Sequence, residues 1–296
     1  MSAMIKRSAF CTFKQVAELT CLHIEHPKFC AEICLQGAQL TQFKHKQHGD
    51  LLWLSPDANY QRGASVRGGI PICWPWFGAL ARNPSAVQAG LPSQQAHGFA
   101  REFDWTLDDV NESAHGVRLT LSLGHDENTL KIWPHEFKLV CQLELGDDIA
   151  IALTSHNLSD TNMAIAQALH TYFPTPNIHE TRVLGAGNGQ YVDALDDWQL
   201  KKQVGGIGFK QEVDRIYLGN NQYQILTPSK QFSLTCNSHS SVVWNPWIKK
   251  SKRLSGFPSD GYKNMLCIES ANVLGDYLQL APGESQTLRM QLSCVS

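Results

Sequence analysis

FKLVCQLELGDDIAIALT, residues 137–154, alternates apolar and polar side chains on both sides of Gly146-Asp147-Asp148. A period of two over such a run is the pattern of a strand with one face on a core, and the Gly-Asp-Asp step reads as a turn. The same pattern recurs in both directions. Upstream lie VRLTLSL (117–123), CLHIEH (21–26) and CAEICLQ (30–36), the last turning through Gly37-Ala38-Gln39-Leu40 into a further strand. Downstream lie FSLTC (232–236), SVVW (241–244) and TLRMQL (287–292), with turn residues at Asn157-Leu158-Ser159-Asp160 and Ala281-Pro282-Gly283-Glu284. Amphipathic helices capped at both ends are scarce. The expectation is an all-β chain, a large antiparallel β-sandwich with few short helices. Neither a fixed-period repeat nor a low-complexity linker divides the 296 residues, so one domain spanning 1–296 is expected.

A hydrophobic content of 43% with 18% charged residues supplies material for a sizeable core. A net charge of −2 gives no reason to expect nucleic acid or an anionic membrane as partner. The basic cluster Lys249-Lys250-Ser251-Lys252-Arg253 is short and local. Nine cysteines, an odd number without CxxC spacing, read as buried reduced thiols rather than a disulfide framework or a zinc site. Cys30 and Cys34 are four apart, but no second ligand pair accompanies them. The start, MSAMIKRSAFCTF, lacks an apolar segment long enough for a signal peptide. No run reaches the roughly 18 apolar residues of a membrane span, so a cytoplasmic location is expected.

Other segments carry chemistry. RGGIPICWPWFG (67–78) crowds aromatics, prolines and glycines behind one arginine, which no ordinary helix or central strand would do. It reads as rigid, irregular backbone presenting apolar faces beside a fixed positive charge, or as a hydrophobic turn joining two sheets. In MAIAQALHTYF (163–173), strand alternation puts Ala166, Ala168, His170 and Tyr172 on one face, the small alanines leaving room beside an imidazole. In NMLCIESAN (264–272), Glu269 follows Met265 and Cys267 on one face, and a carboxylate is rarely buried without a partner or a task. A hydrogen-bonded core histidine and a solvated edge carboxylate are the alternatives, and spacing alone does not bring the two together. AHGFAR (96–101) places His97 and Arg101 around a glycine. Arg67 and Arg101 suit phosphate, whose oxygens match paired guanidinium donors, unless both form surface ion pairs. The long stretches Ala79–Gln95 and Lys249–Asn264 read as loops, which at that length tend to be functional. No P-loop, GxSxG elbow or HExxH helix is present, and His45 and His48 lie in what reads as an exposed turn.

Together, RGGIPICWPWFG (67–78), AHGFAR (96–101), ALHTYF (168–173), YVDAL (191–195) and the run from VVWNPW (242–247) to CIESANV (267–273) resemble the glucose-6-phosphate 1-epimerases. These are hexose-6-phosphate mutarotases related to galactose mutarotase. The order and spacing of the motifs cover nearly the whole chain. The resemblance implies a galactose mutarotase-like supersandwich and an isomerase that interconverts the anomers of an aldohexose 6-phosphate. It implies His170 as general acid and Glu269 as general base. Arg67 and Arg101 would bind substrate through its phosphate, with Asp193 and His97 as further substrate contacts. Some relatives carry glutamine where this chain has Ala96, which leaves His97 and Gln95 as the candidates in that stretch. No metal or cofactor is expected, because two proton transfers suffice for mutarotation; the expected partner is a small sugar phosphate, and the protein is expected to be a monomer. Two alternatives are a mutarotase for free aldoses and a non-catalytic sugar-binding sandwich using Trp74, Trp76 and Phe77 as its platform.

Overall fold

The computed structural model describes residues 8–92 and 95–295. Residues 137–154 form two strands, Phe137–Leu145 and Ile149–Asn157, paired antiparallel with Ile149 opposite Leu145 and Ala150 opposite Glu144. Gly146 N donates to Asp148 O at 3.0 Å across the turn. Phe137, Leu139, Cys141, Leu143 and Leu145 are buried, while Lys138, Gln142 and Glu144 between them are exposed. Each such buried side chain contributes about 1.5–3 kcal/mol, which fixes the register, because a slip of one residue would turn the whole apolar row outward.

This pair sits within a nine-stranded antiparallel sheet. In spatial order its strands are Ile207–Gly208, Arg182–Leu184, Gln222–Leu226, Gln231–Cys236, Ser285–Val295, Ile149–Asn157, Phe137–Leu145, Val117–Gly124 and Thr106–Glu112. A seven-stranded sheet follows the order Gln199–Lys202, Gln190–Asp193, Val213–Leu218, Ser240–Asn245, Met265–Asn272, Gln167–Pro174 and Ile72–Cys73. The first strands, Cys11–Val16 through Gly49–Asp50, form a five-stranded sheet in sequence order. Among the described residues the α-helices are Ser85–Gln88, Glu127–Ile132 and Trp247–Ser251, none longer than six residues. The all-β sandwich expected from the alternating runs is the observed architecture.

The large sheets pack face to face through alternate residues of each strand. Phe173 meets Phe232 edge-on at 5.4 Å, and Thr171 Oγ1 lies 3.7 Å from Met290 Sδ. Trp74, from the segment beside the seven-stranded sheet, packs against Trp133 and Phe137 and donates to Ser155 Oγ at 3.1 Å. Since Thr171 and Phe173 face this interior, His170 and Tyr172 face the opposite side of the sheet.

Some local expectations change. The stretch 79–95 holds a 3₁₀ turn at Leu80–Arg82 and the Ser85–Gln88 helix, and 249–264 holds the end of the Trp247–Ser251 helix and a 3₁₀ turn at Gly261–Asn264. His45 is buried rather than exposed, its ring stacked on His48 at 4.8 Å. Ala166 and Ala168 are fully buried and do not line the space beside His170.

Candidate active site

His170 and Glu269 face each other directly in the ladder between Gln167–Pro174 and Met265–Asn272. His170 Nε2 lies 3.3 Å from Glu269 Oε1, and the Glu269 side chain is 2% exposed. The remaining polar atom of each, His170 Nδ1 and Glu269 Oε2, is buried with no hydrogen-bond partner. Such an atom costs about 1–3 kcal/mol, and a hydroxyl-bearing ligand is one way to offset that.

The proline-rich segment positions this pair from the edge. Ile72 and Cys73 pair with Leu169 and Ala168, and the His170 and Tyr172 amides donate to Pro71 O at 3.0 Å and Gly69 O at 2.9 Å. Gly69 has φ +63°, and a Cβ there would stand 2.2 Å from Leu40 O, so only glycine permits the approach. The AHGFAR segment is locked to the same backbone. Phe99 N and Ala100 N both donate to Trp74 O, at 2.9 and 3.2 Å. Gly98 passes so close that a Cβ would fall 1.9 Å from this oxygen. The two motifs, joined through the 79–95 stretch, thus deliver Arg67 and Arg101 to one cleft.

The cleft has two lobes. One, of about 290 Å³, is lined by Arg67, Phe77, His97, His170, Tyr172, Asp214, Trp244, Lys250 and Glu269. The other, of about 390 Å³, shares Arg67, His97, His170 and Tyr172 and adds Arg101 and Ser255. Arg67 Nη1 reaches Tyr172 Oη at 3.5 Å, and Arg101 Nη2 donates to Ala96 O at 2.7 Å. Neither guanidinium meets a carboxylate among the described residues, and the Nε of each is buried and unpartnered. They are not the surface ion pairs that their sequence context allowed.

His97 lies 5.9 Å from the His170 ring, and its Nδ1 accepts from Gly78 N at 3.2 Å, which leaves Nε2 to carry the proton. Gln95 stands outside both lobes: its carbonyl accepts from Trp76 Nε1 at 2.9 Å and its side chain bonds Glu102. Asp193 also stands apart from the lining, accepting from Lys201 Nζ at 2.8 Å and Leu195 N at 3.1 Å. The second carboxylate of the cleft is Asp214, 3.3 Å from Lys250 Nζ. Asp214, Lys250 and Tyr172 were not singled out as site residues from sequence. The available signals were an aspartate set in the strand-like run Val213–Leu218 and the place of Tyr172 on the His170 face of its strand. Trp74 and Trp76 are 0% and 1% exposed, which overturns the sugar platform built from them. Phe77 alone of the three lines the cleft.

Burial dominates the electrostatics. It pushes the His170 imidazole down to about 3, with the Arg101 and Arg67 charges adding to the effect. Burial likewise holds Glu269 well above the usual carboxylate range, reinforced by Asp214 and opposed by Lys250. His97 is held low by burial and then by Arg101. Burial therefore favours the neutral form of each partner in the free chain, against the mutual attraction that would charge both.

The aldose 1-epimerase family model matches residues 20–293. A curated relative from Escherichia coli (strain K12), named "Putative glucose-6-phosphate 1-epimerase", is 36% identical over 263 residues, covering 87% of this chain and 85% of its own. A relative of the same name from Salmonella typhimurium is 35% identical over 288 residues, covering 96% and 92%. The crystal structure of a "putative mutarotase" from Salmonella typhimurium superposes with a TM-score of 0.88 at 31% identity, covering 98% of this chain and 95% of that one. The supersandwich expected from the resemblance is the fold shared with that structure.

Proposed function

Since this chain belongs to the aldose 1-epimerase family, we propose that it interconverts the α and β anomers of an aldohexose 6-phosphate, glucose 6-phosphate first among them, acting as one domain over 1–296. The observation that carries this reading is the 3.3 Å contact of His170 with Glu269 in a cleft that also holds Arg67 and Arg101. An unphosphorylated aldose would leave both guanidinium groups in the cleft without a counter-charge.

In the forward half, the Glu269 carboxylate takes the proton of the anomeric hydroxyl while the His170 imidazolium gives one to the ring oxygen. The C1–O5 bond breaks and the C1 carbonyl forms. The pair is left as neutral imidazole and carboxylic acid, the state that burial favours in the free chain. After rotation about C1–C2, Glu269 returns its proton to the carbonyl oxygen and His170 takes one from the 5-hydroxyl as it attacks. One proton thus serves both directions, and each positioned acid or base contributes about 10²–10⁴-fold.

The charged form needed for opening has a source in the substrate. Arg101 and Arg67 both hold the His170 imidazole down. A phosphate dianion between them offsets that field and raises the imidazole toward protonation. Asp214 and His97 are placed to bond sugar hydroxyls, and Trp244 and Phe77 supply apolar surface for the ring. Anomer exchange followed by NMR on glucose 6-phosphate and on glucose tests the proposal. Much faster exchange of the phosphorylated sugar is the expected result, and equal acceleration of both would refute phosphate recognition.

A further inference from the structure

Cys21 stands opposite Cys34, and His23 opposite Glu32, on the neighbouring strands Leu19–Glu25 and Phe29–Cys34. A spacing of two puts Cys21 with His23, and Glu32 with Cys34, on one face of the sheet. Leu35 N donates to Thr20 O at 3.0 Å, which makes Thr20 and Leu35 a hydrogen-bonded position of the ladder. Both opposed pairs therefore fall at non-hydrogen-bonded positions, where Cα atoms approach to about 4.5 Å and side chains meet most closely.

The donor atoms converge accordingly. One ligand atom each from Cys21, Glu32 and Cys34 lies within 4.8 Å of the others, and all three residues are buried. The two sulfurs are 2.8 Å apart. His23 Nε2 is 2.9 Å from Glu32 Oε2, yet it is buried and makes no hydrogen bond. The other carboxylate oxygen, Glu32 Oε1, accepts from Thr41 Oγ1 and Tyr60 Oη, each at 2.7 Å. Outer partners of this kind orient a metal-binding carboxylate. Glu32 and Tyr60 also line a cavity of about 540 Å³ that shares no lining residue with the catalytic cleft.

We propose that Cys21, Cys34 and Glu32 bind one thiophilic divalent cation of the zinc class, with His23, which touches only the carboxylate of this cluster, orienting Glu32. Two thiolates and a carboxylate, with the fourth tetrahedral position open to water, form a donor set that favours zinc over hard cations. Loading releases the two thiol protons, and the sulfurs part to about 3.7 Å, the edge of a tetrahedron with ~2.3 Å zinc–sulfur bonds. The sequence hid this site because its ligands come as a single cysteine and a Glu-x-Cys pair on separate strands, with no CxxC spacing.

The test is titration of the reduced, chelator-treated full chain with cobalt(II), then zinc(II). One cobalt per chain is expected, with a near-ultraviolet thiolate-to-cobalt absorption that zinc abolishes. Cys21→Ser/Cys34→Ser should lose the absorption, and Glu32→Gln should weaken zinc binding about 10–100-fold. Absence of the absorption in the wild-type chain would overturn the proposal, and so would equal metal uptake by the double variant. A Cys21–Cys34 disulfide, two hydrogens lighter by mass and resistant to mild reductant, would also count against it. If the double variant does not fold, the wild-type cobalt spectrum and Glu32→Gln still decide.

Discussion

Tyr172 stacks on His170 with ring centroids 4.8 Å apart and planes 16° from parallel, while its hydroxyl meets Arg67 Nη1 at 3.5 Å. One side chain thus supports the proposed acid on its face and the proposed phosphate clamp at its tip. Tyr172→Phe keeps the stack and removes a long, weak hydrogen bond. The KM for glucose 6-phosphate should rise about 2–5-fold with kcat nearly unchanged, in line with ~0.5–1 kcal/mol for such a bond. Steady-state kinetics in a coupled dehydrogenase assay check the split.

The clamp itself is tested by comparing sugars. Arg67→Ala and Arg101→Ala should each lower kcat/KM for glucose 6-phosphate about 10–100-fold, since charge-assisted hydrogen bonds contribute ~1.5–3 kcal/mol. Exchange of free glucose should change less than about 3-fold on the same scale. Equal losses with both sugars would assign the arginines to the architecture of the cleft.

Much of the fold was legible because strand alternation is a local signal. Phe137–Leu145 and Ile149–Asn157 follow it residue by residue. The site was legible in part. His170 and Glu269 stood out as ionisable groups in apolar strands, but only the ladder brings them face to face. Asp214 and Lys250 were missed because their place depends on Val213–Leu218 joining the same sheet as Glu269 and on the helix that follows Ser240–Asn245. The electrostatics of the pair were not legible for a different reason. Attraction between the partners follows from proximity, but its loss to desolvation depends on burial, which the sequence does not state.

Arg101 is among the charges holding His170 down, after burial itself. Arg101→Met should therefore raise the His170 pKa in the free protein, and saturating glucose 6-phosphate should raise it in the wild type. NMR titration of the imidazole measures both shifts. A His170 pKa unmoved by phosphate would remove the proposed coupling between substrate charge and ring opening.

Stability should carry the same signature. The unfolded chain protonates this imidazole below its ordinary 6.5, whereas the folded chain keeps it neutral down to about 3. Between those values the unfolded state binds more protons, so this group's contribution to stability falls as pH drops through that window. His170→Asn removes the contribution and should flatten the decline by up to ~1.4 kcal/mol per pH unit. Urea unfolding of both proteins across the window measures the difference.

Glu269→Gln addresses the central claim most directly, because it preserves shape and removes only the capacity to accept a proton. Anomer exchange of glucose 6-phosphate, followed by NMR at saturating sugar, should fall about 10²–10⁴-fold in the folded variant while sugar phosphate binding persists. Exchange at the wild-type rate would contradict the assignment of Glu269 as the base.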